Sequence, residues 1–332
     1  MRAIVTGATG CTGQALCRRL VQEGWDVTAL VRPSRRVKPL AELGINCVET
    51  DITSESSVRS AVRPVDVLFH TAAMFRAEDT DRKIYKRVNV DAVNHLAAAA
   101  RDVGVGRFVH TSTVGIQGHI DDPPADEEYR PRPNDHYQST KWQGEQVARR
   151  YIAEGLPGVM VRPAGIYGPG DLRFLKLFRA IDRGVFFMIG NGQALYHLTY
   201  IDDLVDGFLL AATKREALGE VFTIAGPRYT TIQEMAETVA RILGKRLPSL
   251  RVPLWPVKAA AHVCEAICKP LHISPPLYPR RVEFFSMDRA FTIEKAARLL
   301  GYAPRVDLEK GLANTAAWYR SQGLLPSCTS AR

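Results

Sequence analysis

The fold is decided by residues 2–20, RAIVTGATGCTGQALCRRL, where three glycines separate a short apolar strand from a helix. Glycine permits a sharp strand-to-helix turn and lets the backbone approach a ligand closely. The free N–H groups and partial positive charge at a helix N-terminus bind phosphate. The stretch therefore predicts a phosphate-binding turn. Its candidate cofactor contacts are Gly7, Thr9, Gly10, Cys11, Thr12 and Gly13.

The rest of the N-terminal half repeats this alternation of strand and helix. The apolar runs are RAIVT, DVTALV, NCVETD, VDVLFH, RFVHTS and GVMVRP. Helical patterns fall between them over Gln14 to Glu23 and, most clearly, over Ile84 to Val103 and Tyr137 to Glu154. This alternation is typical of a parallel sheet covered on both faces. It predicts a Rossmann-type, doubly wound α/β fold.

After Pro163 the regular alternation of strand and helix ends. Helical patterns over Leu172 to Arg183 and Thr231 to Leu243 bracket a returning strand pair near LTYIDD and EVFTIAG, before a helix-rich tail. We predict an NAD(P)-binding domain over residues 1–168, completed by strands within 194–225. A smaller, interleaved substrate lobe would occupy residues 169–325, with a flexible tail over 326–332.

Composition limits the class of protein. The chain has 332 residues, of which 24% are charged and 46% hydrophobic, as in soluble globular enzymes. No apolar run is long enough for a membrane span and no signal-peptide pattern opens the chain, so a cytoplasmic enzyme is expected. The net charge of +9 is scattered without a nucleic-acid-binding motif, which favours a small-molecule substrate. The six cysteines lack metal-ligand spacing, so reduced thiols and no metal are predicted.

Arg32 bears on the choice of cofactor. It ends the second predicted strand in LVRPSRR, about 20 residues past the glycines, where NAD-binding folds place an acidic residue. The planar guanidinium pairs well with phosphate, including the 2′-phosphate of NADP. The sequence therefore favours NADP(H) over NAD(H).

The spacing GxxGxxG at the N-terminus resembles the short-chain dehydrogenase/reductase superfamily. That resemblance implies a Tyr-x-x-x-Lys pair on a helix and a Ser or Thr some two dozen residues upstream. YQSTK supplies Tyr137 and Lys141, and VHTSTVG supplies Ser112 and Thr113. Aligned back from Gly118, the family's S-x-x-V-Y-G pattern implies Thr113 as the catalytic hydroxyl, with Ser112 as the alternative.

Further motifs resemble the extended branch, the NAD-dependent epimerase/dehydratase group. They are DI, HTAA, RVNV, RPAGIYGPGD, TYIDDLVDG and KAARLLGYAPRVDLEKG, in the family's order and across nearly the whole chain. The further cofactor contacts that this resemblance implies are Asp51, Ile52, Thr71, Ala72, Ala73, Asn89, Pro163, Ala164 and Ile166.

The Tyr137–Lys141 pair also has a direct physical reason. Residues four apart share a helix face, so the lysine ammonium lies near the phenol. A neighbouring positive charge favours phenolate and lowers a pKa that starts near ~10. Tyr137 would exchange a proton with a substrate oxygen as hydride moves to or from the adjacent carbon. Thr113 or Ser112 would hold that oxygen, and the resemblance implies that Lys141 also binds the nicotinamide ribose.

Two substrate classes stay open. The stretch NGQALYHLTYIDD lacks the arginine that commonly grips a nucleotide-sugar diphosphate, and PLWPVKAAAHVCEAICKPLHI is apolar. Both features favour an oxidoreductase similar to 3β-hydroxysteroid dehydrogenases. The alternative is a nucleotide-sugar epimerase or dehydratase resembling hopanoid-associated sugar epimerases, and a third hypothesis is a non-catalytic NADP-sensing binder. The candidate substrate contacts are Phe75, Thr113, Tyr196, His197 and Arg281.

The resemblance also implies a homodimer. The helices over Ile84 to Val103 and Tyr137 to Glu154 correspond to the pair through which many members associate as a four-helix bundle. The stretch VNHLAAAA provides small side chains that allow helices to approach closely.

Overall fold

The computed structural model describes residues 1–34, 36–75, 81–268, 277 and 279–326, without the side chains of residues 280 and 281. The strands are β1 (Arg2–Thr6), β2 (Asp26–Val31), β3 (Asn46–Glu49), β4 (Val67–His70), β5 (Phe108–Thr111), β6 (Gly158–Pro163), β7 (Gly165–Tyr167), β8 (Met188–Ile189), β9 (Leu195–Tyr196), β10 (Leu198–Tyr200), β11 (Val221–Ile224), β12 (Thr230–Thr231) and β13 (Arg251–Val252).

The α-helices of the same residues are α1 (Cys11–Gln22), α2 (Lys38–Ala41), α3 (Glu55–Ala61), α4 (Arg82–Lys86), α5 (Ala92–Val103), α6 (His136–Ala153), α7 (Leu175–Asp182), α8 (Ile201–Thr213), α9 (Ile232–Leu243), α10 (Leu254–Cys268), α11 (Pro279–Glu283), α12 (Glu294–Leu300) and α13 (Leu308–Ser321). A search of these helices finds no segment with the length and hydropathy of a bilayer crossing.

A parallel sheet of seven strands forms the centre, in the order β11-β6-β5-β4-β1-β2-β3. Side chains alternate between its faces. Ile4, Leu68 and Phe108 pack with α3, α5 and α6, whereas Val5 and Phe69 pack with α1, α8 and α12. The predicted doubly wound sheet is confirmed.

A second core lies beside this sheet. Phe178 from α7, Met235 from α9 and Tyr319 from α13 are fully buried within it. Three two-stranded sheets border it, β10 with β7, β12 with β9 and β13 with β8. The division of the chain at residue 168 stays a prediction, and residues 327–332 of the predicted tail lie outside the described residues.

The predicted returning strand pair is wrong in its pairing. β11 pairs with β6 and extends the central sheet, whereas β10 pairs with β7. The residues IDD of LTYIDD begin α8, with Asp202 and Asp203 in its first turn. Acidic side chains favour a helix N-terminus, which is why the strand ends at Tyr200.

The helix predicted over Ile84 to Val103 is present and continuous. A π-helical turn, Arg87–Asp91, joins α4 to α5 within it. Such turns are rare and often lie at functional sites. This one carries Asn89, whose side chain is bonded outside the helix.

Candidate active site

The glycine turn joins β1 to α1 at the carboxyl edge of the sheet. Gly7 has a φ of +75°, and a Cβ there would come 2.6 Å from the Ala72 backbone nitrogen. A Cβ at Gly13 would come 2.2 Å from the Gly7 carbonyl oxygen. Packing within the chain therefore requires glycine at both positions.

Gly10 differs from the other two glycines. Its backbone is extended, with a φ of −85°, and the nearest atom to an added Cβ is the Gly7 oxygen at 3.3 Å. Among the described residues no side chain caps α1, which begins at the next residue, Cys11. The missing side chain leaves room at a helix start with N–H donors, so this turn fits a pyrophosphate.

Residues 71–75 line the end of β4 beside this turn. The Thr71 hydroxyl donates to the Thr6 carbonyl at 2.7 Å. The Asn89 amide accepts from the Met74 N–H at 2.8 Å and donates to the Met74 carbonyl at 3.1 Å. It also donates to the Thr140 hydroxyl at 3.1 Å. Asn89 therefore positions this segment, and its own contact with a cofactor stays a prediction.

Tyr137 and Lys141 occupy the first turns of α6, whose N-terminus Asp135 caps by accepting from the Gln138 N–H at 2.7 Å. The Tyr137 ring is half-buried, edge-on to Phe75 with centroids 5.1 Å apart. Lys141 is buried, and its Nζ donates to the Thr111 carbonyl at 2.6 Å. Burial lowers the pKa of Lys141 to about 8, although Glu145 opposes the shift.

A buried ion pair lies one helical turn below Lys141. Arg162 donates to both carboxylate oxygens of Glu145, at 2.7 and 3.1 Å, and Arg149 donates to the same carboxylate at 3.0 Å. Burial raises the pKa of Glu145, but Arg162, with help from Ser112 and Arg149, outweighs it and the pKa is lowered. The carboxylate stays charged close to the lysine.

Thr113 and Ser112 occupy different environments at the end of β5. Thr113 is half-buried, and its hydroxyl accepts from the Gly115 N–H at 3.1 Å. Ser112 is only 4% exposed and lies beside Glu145. Thr113 is therefore the more accessible of the two hydroxyls, and its catalytic role stays a prediction.

The remaining predicted cofactor contacts line the same edge of the sheet. Arg32 is exposed directly after β2, and Ile52 is half-buried two residues beyond Thr50. The Asp51 carboxylate accepts from the Thr53 N–H at 2.9 Å, and this bond lowers its pKa, with smaller contributions from Arg87 and Arg32. At the end of β6, Pro163 and Ala164 are buried and Ile166 is half-buried.

The predicted substrate contacts are only partly brought together. Phe75 is 42% exposed beside Tyr137. Tyr196 packs against Phe284 with centroids 5.1 Å apart. His197 is not brought to the site, because it is 3% exposed and its Nε2 lies 3.0 Å from the Gly226 carbonyl oxygen. The side chain of Arg281 lies outside the described residues.

Sequence reasoning missed Arg173. Its guanidinium lies over the Phe75 ring, 5.6 Å from the centroid, and its Nε donates to Asp171 at 2.6 Å. Only its position just after RPAGIYGPGD could have drawn attention to it.

A Rossmann-type sheet, a glycine turn and a Tyr-x-x-x-Lys helix define an extended short-chain dehydrogenase/reductase. A family model described as the NAD dependent epimerase/dehydratase family matches residues 3–225, and the chain belongs to that family. It is an NAD(P)-dependent enzyme.

Individual relatives match along nearly their whole length. A 4-hydroxy-2-methyl-3-oxo-4-farnesyl-3,4-dihydroquinoline-1-oxide ketoreductase from Stigmatella aurantiaca is 31% identical, covering 98% of this chain and 99% of its own. A 3-beta-hydroxysteroid dehydrogenase from Mycolicibacterium neoaurum is 31% identical, with 99% and 96% covered. A solved dTDP-glucose 4,6-dehydratase from Streptomyces venezuelae with bound NAD has a TM-score of 0.77 at 26% identity, with 97% of each chain covered.

Proposed function

We propose that this enzyme interconverts a secondary alcohol and a ketone on a bulky, largely apolar substrate, with NADP(H) as its preferred cofactor. The observation that carries the proposal is the half-buried Tyr137 between the exposed Phe75 ring and the buried Lys141. Two relatives support the substrate class, because their names describe a hydroxysteroid dehydrogenase and a farnesyl ketone reductase. Aromatic side chains at Phe75, Tyr196 and Phe284 suit an apolar ligand.

Each residue of the candidate site has its own role in the proposed reaction. A bound nicotinamide supplies or accepts the hydride. Tyr137 exchanges a proton with the substrate oxygen, and the Lys141 charge favours its phenolate form. The Thr113 hydroxyl donates a hydrogen bond to the same oxygen. Asn89 and the Glu145–Arg162 pair hold the groups around the site in place.

A nucleotide-sugar epimerase or dehydratase is the second candidate. The fold likeness to a solved dTDP-glucose 4,6-dehydratase favours it. Native mass spectrometry of the purified protein separates the two, because a retained nucleotide-sugar supports the second candidate and a retained apolar alcohol supports the first. The NADP-sensing binder is opposed by the intact Tyr137 and Lys141.

Replacing the proton-transferring group tests the reaction. Tyr137→Phe keeps the ring and its contact with Phe75 but removes the exchangeable proton. We expect turnover of a polycyclic or prenylated ketone to fall by about 10²- to 10⁴-fold, with cofactor affinity unchanged. Thr113→Ala should also lower turnover, and Ser112→Ala, the matched control, should cost less. Near-normal turnover of Tyr137→Phe would contradict the mechanism.

Cofactor preference is tested at Arg32. We expect NADPH to bind more tightly than NADH, because the exposed guanidinium pairs with the 2′-phosphate. Arg32→Asp should abolish the preference, a change of about tenfold or more. Arg246→Asp, on an exposed site far along the chain, is the control for net charge. Fluorescence titration measures both affinities, and equal affinities in the wild type would refute the preference.

We propose further that two copies associate through the outer faces of α5 and α6. Trp142 on α6 is half-buried and follows Lys141, so it lies on a different side of the helix. Small residues of α5 such as Ala98 allow close approach.

A further inference from the structure

Arg173 is held rigidly by its neighbours. Its Nε donates to Asp171 at 2.6 Å, and its Nη2 donates to the Ile166 carbonyl at 2.9 Å and to Asp171. Asp171 is 3% exposed, and its own carbonyl accepts from the Tyr319 hydroxyl at 2.7 Å. Two nitrogens of the guanidinium are thereby fixed. Such pre-organisation lowers the entropy lost when the third binds a ligand.

The third nitrogen, Nη1, has no hydrogen-bond partner in the part of the chain that the structure describes. The side chain as a whole is 39% exposed. A guanidinium with a free N–H pair is a strong donor to an oxyanion.

The position of Arg173 indicates which anionic group its guanidinium would bind. On one side its guanidinium covers Phe75, which contacts Tyr137. On the other side its own loop packs on the first residue of α1, since the Cys11 Sγ lies 3.9 Å from the Pro169 carbonyl oxygen. Arg173 therefore lies between the glycine turn and the tyrosine. A dinucleotide's pyrophosphate binds at that helix start, and its nicotinamide half runs toward the tyrosine.

We propose that Arg173 clamps the pyrophosphate of the cofactor, opposite the N–H groups of the glycine turn, and that Asp171 holds it ready. The proposal rests on the cofactor-binding part of the proposed function. It gives this chain a charged phosphate contact beside the glycine turn, whose own donors are backbone groups.

The test measures binding rather than turnover. Dissociation constants for NADPH, NADH and ADP-ribose are determined by calorimetry for the wild type, Arg173→Gln and Arg183→Gln. Arg183 is exposed at the end of α7, so its variant makes the same charge change away from the contact. We expect Arg173→Gln to weaken all three ligands by about 10- to 100-fold, because each carries the pyrophosphate, and Arg183→Gln to change none of them.

Other outcomes overturn the clamp. Unchanged dissociation constants with a raised KM for the substrate would place Arg173 on the substrate instead. Equally weakened ligand binding in Arg183→Gln would show that the effect comes from the change in net charge alone. Arg173→Lys keeps the positive charge but lacks the planar guanidinium, so we expect a loss of ligand affinity smaller than that of Arg173→Gln. This variant also tests the proposal if Arg173→Gln fails to fold. A wild type that binds none of the three ligands would overturn the proposed function as well.

Discussion

Lys141 is the positively charged group beside two buried histidines, and neither histidine carries a charge. His70 and His110 are register partners on β4 and β5, with ring centroids 5.5 Å apart. Burial, followed by the repulsion of Lys141, lowers the pKa of His70 to about 3 and that of His110 well below its usual value. Both imidazoles are therefore neutral at physiological pH. The charge near Tyr137 comes from the lysine, with Glu145 as its buried counter-charge.

The Lys141 charge predicts a pH effect that needs no substrate. Its pKa is about 8 in the folded chain, against 10.5 for an ordinary lysine side chain. The unfolded chain therefore binds more protons between these values, and stability rises with pH across that window. Relative to Lys141→Met, the wild type should gain about 3 kcal/mol in free energy of unfolding from pH 8 to above 10.

Urea unfolding of both proteins at several pH values gives the difference directly, and titrating groups that do not interact with Lys141 cancel in it. Parallel profiles for the wild type and Lys141→Met would show that the folded lysine keeps its ordinary pKa.

At the scale of elements, the parts fixed by local chemistry are the ones the sequence predicted best. The strand, glycine turn and helix over residues 2–22 follow from apolar patterning and glycine, and α6 spans His136–Ala153 against a predicted Tyr137 to Glu154. The π-helical turn was not predicted, because Asn89 bonds to Met74 across the fold. Close contact of that turn with α6 also requires Gly144, where a Cβ would come 2.0 Å from the Asn89 carbonyl oxygen.

At the scale of the whole molecule, α10 is largely exposed although its sequence is apolar. Only Ala261 of this helix is buried, while Trp255 is 76% exposed. Its thiols Cys264 and Cys268 are half-buried rather than fully buried. The described part of the apolar stretch that favoured a bulky substrate, residues 253–268, therefore presents most of its side chains at the surface. This arrangement is compatible with an apolar ligand but does not enclose one.

The proposed dimer makes a prediction at this scale. Trp142→Arg places a charge on the outer face of α6 and should convert a dimer into a monomer at micromolar concentration, since burying an unpaired charge is costly. Trp255→Arg, at the exposed helix α10, is the matched control and should leave the assembly unchanged. Light scattering coupled to size exclusion measures both. A wild-type monomer, or dissociation by Trp255→Arg alone, would contradict the α5–α6 interface.

The amino-acid sequence alone determined the fold class, the glycine turn and the Tyr137–Lys141 pair, because each depends on residues close together in the chain. Tertiary structure decided which neighbours these groups have. It turned Ser112 toward Glu145, buried His197 against Gly226, and brought Arg173 to Phe75 from 98 residues away. Contacts between distant segments depend on how strands and loops pack, and no local pattern records that packing.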